Sequence, residues 1–324
     1  MFTLAFPGQG SQQPGMGRFL FDNFQIAQET FEEASEALQQ DMKKLCFEGS
    51  EAELALTENT QPALLLVSTA TQRVLRKEYS PKIVAAAGHS IGEYAALVAA
   101  DVIRFDEALR AVRTRGQAMQ SAVPVGQGGM VAVLGLEPEQ VETLCTYVVK
   151  NSGFAPLSAA NFNSPGQIVI SGSQKAIDWL KDNFKPELIF TEAPKRAKLI
   201  PLSVSAPFHC EMMKPAEDKM REVLTAMEFK KAAFPIIQNF HAKAETEGTP
   251  LRENLIRQVS APVRWTQSME TLKSMGHAHV IECGAGKVLQ GLLKKIDGDF
   301  FKVMTTTSAE DLKTIEEFLK ASSH

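Results

Sequence analysis

Ile83-Val84-Ala85-Ala86-Ala87-Gly88-His89-Ser90-Ile91-Gly92-Glu93-Tyr94 is the stretch of this 324-residue chain from which its fold is read. Residues 83–87 form a compact apolar run of strand length, the mark of a parallel strand buried on both faces. Gly88 to Ser90 turns out of that strand, and residues 91–100 read as a helix. A serine on a sharp strand-to-helix turn is pushed clear of the sheet. Glycines flank it because a Cβ would clash in the tight turn. The helix start also offers free backbone N–H groups, which suit the charge on a tetrahedral oxygen. Ser90 is therefore a candidate nucleophile; the competing reading is a serine that only caps the helix.

Outward from the elbow, residues 2–6 read as a strand stopped by Pro7-Gly8. Helical patterns occupy residues 22–40 and 61–77, and a strong helix covers 106–123, started by Asp106 and ended by Pro124. This alternation predicts an α/β class, with an α/β-hydrolase-like large domain built on a mostly parallel sheet. The middle changes character after the flexible Gly126-Gln127-Gly128-Gly129. Strands are expected at 130–136, 157–161, 167–171 and 197–204, with helices at 138–150 and 174–184. The order β-α-β-β-α-β is that of a ferredoxin-like unit. The division expected is 1–125 and 205–324 for the large domain, with 126–204 as an inserted ferredoxin-like small domain. A strand at 280–283, a helix from Val288, a strand at 300–304 and a helix capped by Ser308 close the chain.

The formal net charge of −4 and the 44% hydrophobic content give no argument for nucleic acid or membrane binding. Nothing at the start reads as a signal peptide, and no stretch approaches the roughly 18 apolar residues of a membrane helix. Cys46, Cys145, Cys210 and Cys283 are scattered, which argues against a disulfide framework or a cysteine zinc site and for the cytoplasm. His277 and His279 lack an evident third ligand and read as two histidines at a strand start, so no metal is expected.

A nucleophilic serine needs a base. Of six histidines, His89 abuts Ser90 and should point away from it, and His324 is terminal. His209, in Ser205-Ala206-Pro207-Phe208-His209-Cys210, follows the return from the inserted unit and is the best candidate, with His241 next. Cys210 is a rival nucleophile, but it has no elbow and reads more simply as a buried small residue.

Taken together, several motifs resemble malonyl-CoA:acyl carrier protein transacylases. They are Phe6-Pro7-Gly8-Gln9-Gly10-Ser11-Gln12, Gly88-His89-Ser90-Ile91-Gly92-Glu93-Tyr94 and Pro207-Phe208-His209. Arg113-Thr114-Arg115-Gly116, Asn161-Phe162-Asn163-Ser164-Pro165-Gly166-Gln167 and Gln258-Val259-Ser260-Ala261-Pro262-Val263-Arg264-Trp265 extend the match along the whole chain.

The resemblance implies a serine–histidine dyad of Ser90 and His209, with a backbone carbonyl at Gln258 holding the imidazole. Backbone N–H groups of Gln9 and Ile91 are implied as the oxyanion hole, and Asn161 and Gln258 as substrate contacts. Arg115 is implied to hold the malonyl carboxylate through its planar fork. Read without the resemblance, Arg115 is a surface arginine, and Arg113 must be considered in its place. Phe208 resembles the bulky residue of malonyl-selective enzymes, against simple core packing. Ile91 replaces the commoner leucine, and Arg264 stands where glutamine is frequent, with no role assigned.

The implied reaction is ping-pong transfer from malonyl-CoA to the phosphopantetheine thiol of an acyl carrier protein, supplying fatty acid synthesis without a cofactor. Service to a polyketide synthase is the alternative. A hydrolase is a further rival, disfavoured by Arg115 and the full-length two-domain plan, and a carrier-binding scaffold with a dead site is another, disfavoured by the intact Ser90 and His209. Lys195, Arg196 and Lys198 read either as a dock for the acidic carrier or as an ordinary solvated charge run. A monomer is expected.

Overall fold

The computed structural model of the chain describes residues 1–192, 194 and 196–321. Among the described residues, ten strands form two sheets: β1 (Phe2–Phe6), β2 (Ile83–Gly88), β3 (Gly128–Leu134), β4 (Leu157–Ser164), β5 (Gln167–Ser173), β6 (Lys198–Pro201), β7 (Ile236–Ile237), β8 (Ala244–Glu245), β9 (His279–Glu282) and β10 (Lys302–Met304). The six-stranded sheet runs β10-β9-β1-β2-β7-β8 and is parallel except for the β7–β8 edge pair. The expected α/β class with a parallel main sheet is the fold observed.

Period-two geometry explains why β2 is so plain in sequence. Ala85 and Ala87 face one apolar cluster with Trp265 and Met269, and Ala86 faces the other with Leu66 and Leu97. Small side chains let helices close on both faces of the central strands. Register pairs Phe6 with Gly88, so the loops after β1 and β2 leave the sheet side by side at its C-terminal edge. Open parallel sheets place their sites there.

The second sheet runs β4-β5-β3-β6 and is antiparallel throughout. Helices Pro138–Ser152 and Gln174–Asn183 pack on it, and Val131, Val133, Leu144, Val148, Ile170 and Leu180 fill its core. The strand order and the β-α-β-β-α-β connection are those of the ferredoxin-like unit. This sheet is sewn to the main body by backbone bonds from Phe162 N–H to the Val263 carbonyl (2.9 Å) and from Val263 N–H to the Ala160 carbonyl (2.8 Å).

Several expected boundaries move. The first helical pattern is two helices, Arg18–Asn23 and Gln25–Leu38, broken at Phe24, whose backbone is extended. Two short helices, Met42–Glu48 and Glu51–Ala55, follow where no element was expected. The helix expected from Asp106 is Phe105–Ser121, and the Asp106 carboxylate pairs with Arg104 and Arg110 instead of capping. Gly128 and Gly129, read as flexible linker, are the first residues of β3. A Cβ on Gly128 would lie 2.4 Å from the Pro207 ring, so this glycine permits a close approach to the segment carrying His209.

Candidate active site

Ser90 sits between β2 and the helix Gly92–Ala99 with φ of 51°, a left-handed conformation costly for a residue with a Cβ. The turn is too tight for side chains at its ends. A Cβ on Gly88 would lie 2.0 Å from Gly92 backbone atoms, and one on Gly92 would lie 2.2 Å from the Phe6 carbonyl oxygen. The elbow is therefore dictated by its two glycines, as the sequence spacing required.

His209 reaches the same point from the loop after β6, also at positive φ (59°). Its Nε2 is 2.7 Å from Ser90 Oγ. Its Nδ1 faces the carbonyl oxygens of Gln258 (3.0 Å) and Ala261 (3.2 Å). Two carbonyls can only accept, so Nδ1 carries the proton and Nε2 presents its lone pair to the serine hydroxyl. Burial first, and the Arg115 guanidinium second, pull His209 down from 6.5 to about 3. The resting imidazole is neutral, the form a general base needs.

Arg115 lies in the helix Phe105–Ser121, which packs so closely on the helix Thr57–Val74 that a Cβ on Gly116 would lie 2.6 Å from the Thr57 carbonyl oxygen. This seats the guanidinium, 1% exposed, beside Gln61. Its Nη1 donates to Gln61 Oε1 (2.8 Å), and its Nη2 donates to Gln258 Oε1 (3.0 Å) and Ser90 Oγ (3.2 Å). No carboxylate touches it among the described residues, and its Nε is buried without a partner. Arg113, about 200° around the helix, points away and donates to the Leu38 carbonyl oxygen and Gln40. Of the two arginines, Arg115 lines the cavity beside Ser90 and Arg113 does not.

Ser90, His209 and Arg115 open onto one cavity of about 170 Å³. Gln9, Gln61, His89, Asn161 and Asn163 add polar groups, and Met119, Met130, Val169, Leu202, Val204 and Phe208 form an apolar wall. Asn161 and Asn163 share a face of β4 because side chains alternate along a strand. His89 turns away from Ser90, as expected, and its Nε2 meets Asn163 Oδ1 at 2.8 Å. Phe208 and Asn161 are both at the cavity, as expected. Gln258, expected as a substrate contact, does not line it; its fully buried side chain lies behind Arg115. Gln9 lines the cavity and Ile91 does not, and the backbone N–H of neither donates to a described residue.

The alternatives are placed elsewhere. His241 bonds to Asn254 and the Lys243 N–H, outside the cavity. The Cys210 thiol donates to the Pro207 carbonyl oxygen, and burial raises its pKa. Arg264, left without a role by its sequence, donates to the Phe240 carbonyl oxygen and lies over the Phe162 ring. Arg196 and Lys198 are exposed; Lys195 and His324 fall outside the described residues. No group of three His, Cys, Asp or Glu suited to a metal exists among the described residues.

Sequence reasoning missed Glu93, Gln238, Asn239 and Gln61. Asn239 Oδ1 accepts from Ser90 N–H (2.7 Å), and its Nδ2 donates to the Gly88 carbonyl oxygen (2.7 Å), bracing both ends of the elbow. The Ser90 N–H is thus occupied and unavailable to an oxyanion. One signal was readable: Glu93 is a lone charge ahead of the apolar Tyr94-Ala95-Ala96-Leu97.

An elbow serine hydrogen-bonded to a neutral histidine that two carbonyls hold, both facing one cavity on an α/β fold, is an arrangement suited to serine-dependent acyl transfer. The chain belongs to the acyl transferase domain family, which it matches over residues 3–302. It is 44% identical over 312 residues to a malonyl CoA-acyl carrier protein transacylase of Bacillus subtilis (strain 168), covering 96% of this chain and 94% of the relative. A solved transacylase of the same name from Coxiella burnetii superposes with a TM-score of 0.90 at 37% identity, covering 98% of this chain and 97% of that one. A malonyl-transacylase solved in complex with its type II polyketide synthase acyl-carrier protein also gives a TM-score of 0.90, at 41% identity, over 98% and 99% of the two chains.

Proposed function

We propose that the chain is an acyl-carrier-protein S-malonyltransferase, which moves malonyl groups from malonyl-CoA to the phosphopantetheine thiol of an acyl carrier protein for fatty acid synthesis. The observation that carries this reading is Arg115, a buried cation without a carboxylate partner among the described residues, 3.2 Å from the nucleophilic oxygen. An acyl group on Ser90 has its next substituent within a few bonds of that guanidinium. Malonyl places a carboxylate there; acetyl places nothing.

Ser90 Oγ attacks the thioester carbonyl while His209 Nε2 takes its proton. The tetrahedral oxyanion lies against the N–H groups of Gln9 and Ile91. Loss of either donor typically costs ~10²–10³ in rate. Collapse breaks the C–S bond, and His209 returns the proton to the departing CoA thiolate. The carrier thiol then gives its proton to His209, attacks the malonyl ester, and Ser90 leaves, reprotonated by His209. Phe208 and the apolar wall limit the acyl pocket, and Asn161 adds a polar contact. The site requires no bound cofactor.

The remaining assignments belong to the same proposal. Residues 126–204 form the small domain over the large domain of 1–125 and 205–324. The acidic carrier docks against the basic patch that includes Arg196 and Lys198, both exposed. The chain acts as a monomer in the cytoplasm, a reducing compartment that suits its four free, buried cysteines.

Two results test this reading. With malonyl-CoA and a holo acyl carrier protein, malonyl-carrier is the product and free malonate a trace; dominant malonate release would make the protein a hydrolase. The pH profile follows from His209. Because its pKa is pulled down, the base stays neutral as pH falls through 6.5 and becomes protonated only near 3. The kcat/KM for Ser90 acylation therefore stays flat from about pH 8 to about pH 5. A fall that tracks a group near 6.5 would contradict it.

A further inference from the structure

Glu93 is a fully buried carboxylate in the first turn of the helix that follows the elbow. It lies outside the cavity and touches no reacting atom. Its Oε1 accepts from Gln238 Nε2 (3.0 Å), and its Oε2 accepts from Asn239 N–H (2.9 Å) and Gln258 Nε2 (2.9 Å). All three contacts are donors, so none can accept an acid proton. Burial pushes the Glu93 pKa up, while these hydrogen bonds and the Arg115 charge oppose that shift. The donor-only surroundings select the carboxylate form.

Two branches run from it to the site. Through Asn239, it holds the side chain that clamps Ser90 N–H and the Gly88 carbonyl oxygen. Through Gln258, it fixes which way that carboxamide faces: Nε2 toward Glu93 and the Ser90 carbonyl oxygen, Oε1 toward Arg115 Nη2. The same residue's backbone carbonyl holds His209 Nδ1. A cation and an anion, both buried, are thus joined through one amide. Burying a carboxylate is costly unless its charge is used, and a neutral residue would fill the space at less expense.

We infer that Glu93 is a positioning residue that sets both the nucleophile elbow, through Asn239, and the acyl specificity, by orienting Arg115 through Gln258. This rests on the reading of Arg115 as the malonyl-binding group. Glu93→Gln tests it. An amide presents one oxygen and one NH₂, so either orientation turns an N–H toward an N–H donor. In wild-type and variant full-length protein, the rate of acyl-enzyme formation is measured by quenched-flow mass spectrometry with malonyl-CoA and with acetyl-CoA, and folding by circular dichroism. The folded variant is expected to lose about 10²-fold with malonyl-CoA and about tenfold or more in the malonyl-to-acetyl rate ratio. Rates within threefold of wild type overturn the inference, and equal losses for both donors overturn its Arg115 branch. If Glu93→Gln fails to fold, Asn239→Ala isolates the other branch, with acylation falling tenfold or more for both donors and the ratio unchanged. A rate within threefold there overturns the elbow branch. Absence of any acyl-enzyme in the wild type would instead sink the underlying assignment of function.

Discussion

Ser90→Ala abolishes the acyl-enzyme and lowers carrier malonylation by roughly 10⁴–10⁶-fold, the scale seen when a nucleophile that works with its base is removed. Among the described residues, no other hydroxyl or thiol lines the cavity. The Cys210 thiol is bonded to a carbonyl and held protonated by burial. His209 has its Nδ1 proton shared between two carbonyls, and its Nε2 lone pair loses the donor it faced. The elbow itself should survive, because Asn239 grips the Ser90 backbone rather than its hydroxyl. A melting temperature near that of the wild type, with activity gone, is therefore the expected pair of results. Turnover within tenfold of wild type would show that the acyl group never resides on Ser90.

Arg115→Ala is the second large effect, and it acts on selectivity. Two charge-assisted hydrogen bonds to a carboxylate contribute ~1.5–3 kcal/mol each, partly offset by those the resting guanidinium already makes. At about 1.4 kcal/mol per factor of ten, kcat/KM for malonyl-CoA should fall about 10²–10³-fold. Acetyl-CoA has no carboxylate to lose, so its kcat/KM should hold or rise. The change also removes the cation that helps hold His209 down, and so makes the base stronger. Arg115→Lys should recover little, since an ammonium cannot reproduce the fork that spans Gln61 and Gln258. An equal loss for both donors would mean that Arg115 is structural. Steady-state kinetics with the two CoA esters on each variant separate these outcomes.

The elbow was legible in the sequence because its cause is local. Gly88 and Gly92 stand two residues either side of Ser90, and the steric reason for both lies within that turn and the neighbouring β1. The inserted sheet was legible through alternation and short turns. Arg115 was not legible from pattern alone; its helix is amphipathic, and only the resemblance separated it from a surface arginine. The supporting network was beyond reach for a different reason. Asn239 and Gln258 lie about 150 residues or more from the Ser90 backbone they touch, so no local periodicity carries the pairing. Gly128 shows the same limit: a glycine read as slack is a close contact with Pro207, visible only once β3 and the His209 loop meet.

The most direct measurement is intact mass after brief incubation with malonyl-CoA or acetyl-CoA, followed by peptide mapping. One malonyl adduct should form, map to Ser90 and disappear when holo carrier is added, with acetyl adduct a small fraction of it. No adduct, an adduct at another residue, or acetyl and malonyl adducts in equal yield would contradict the account.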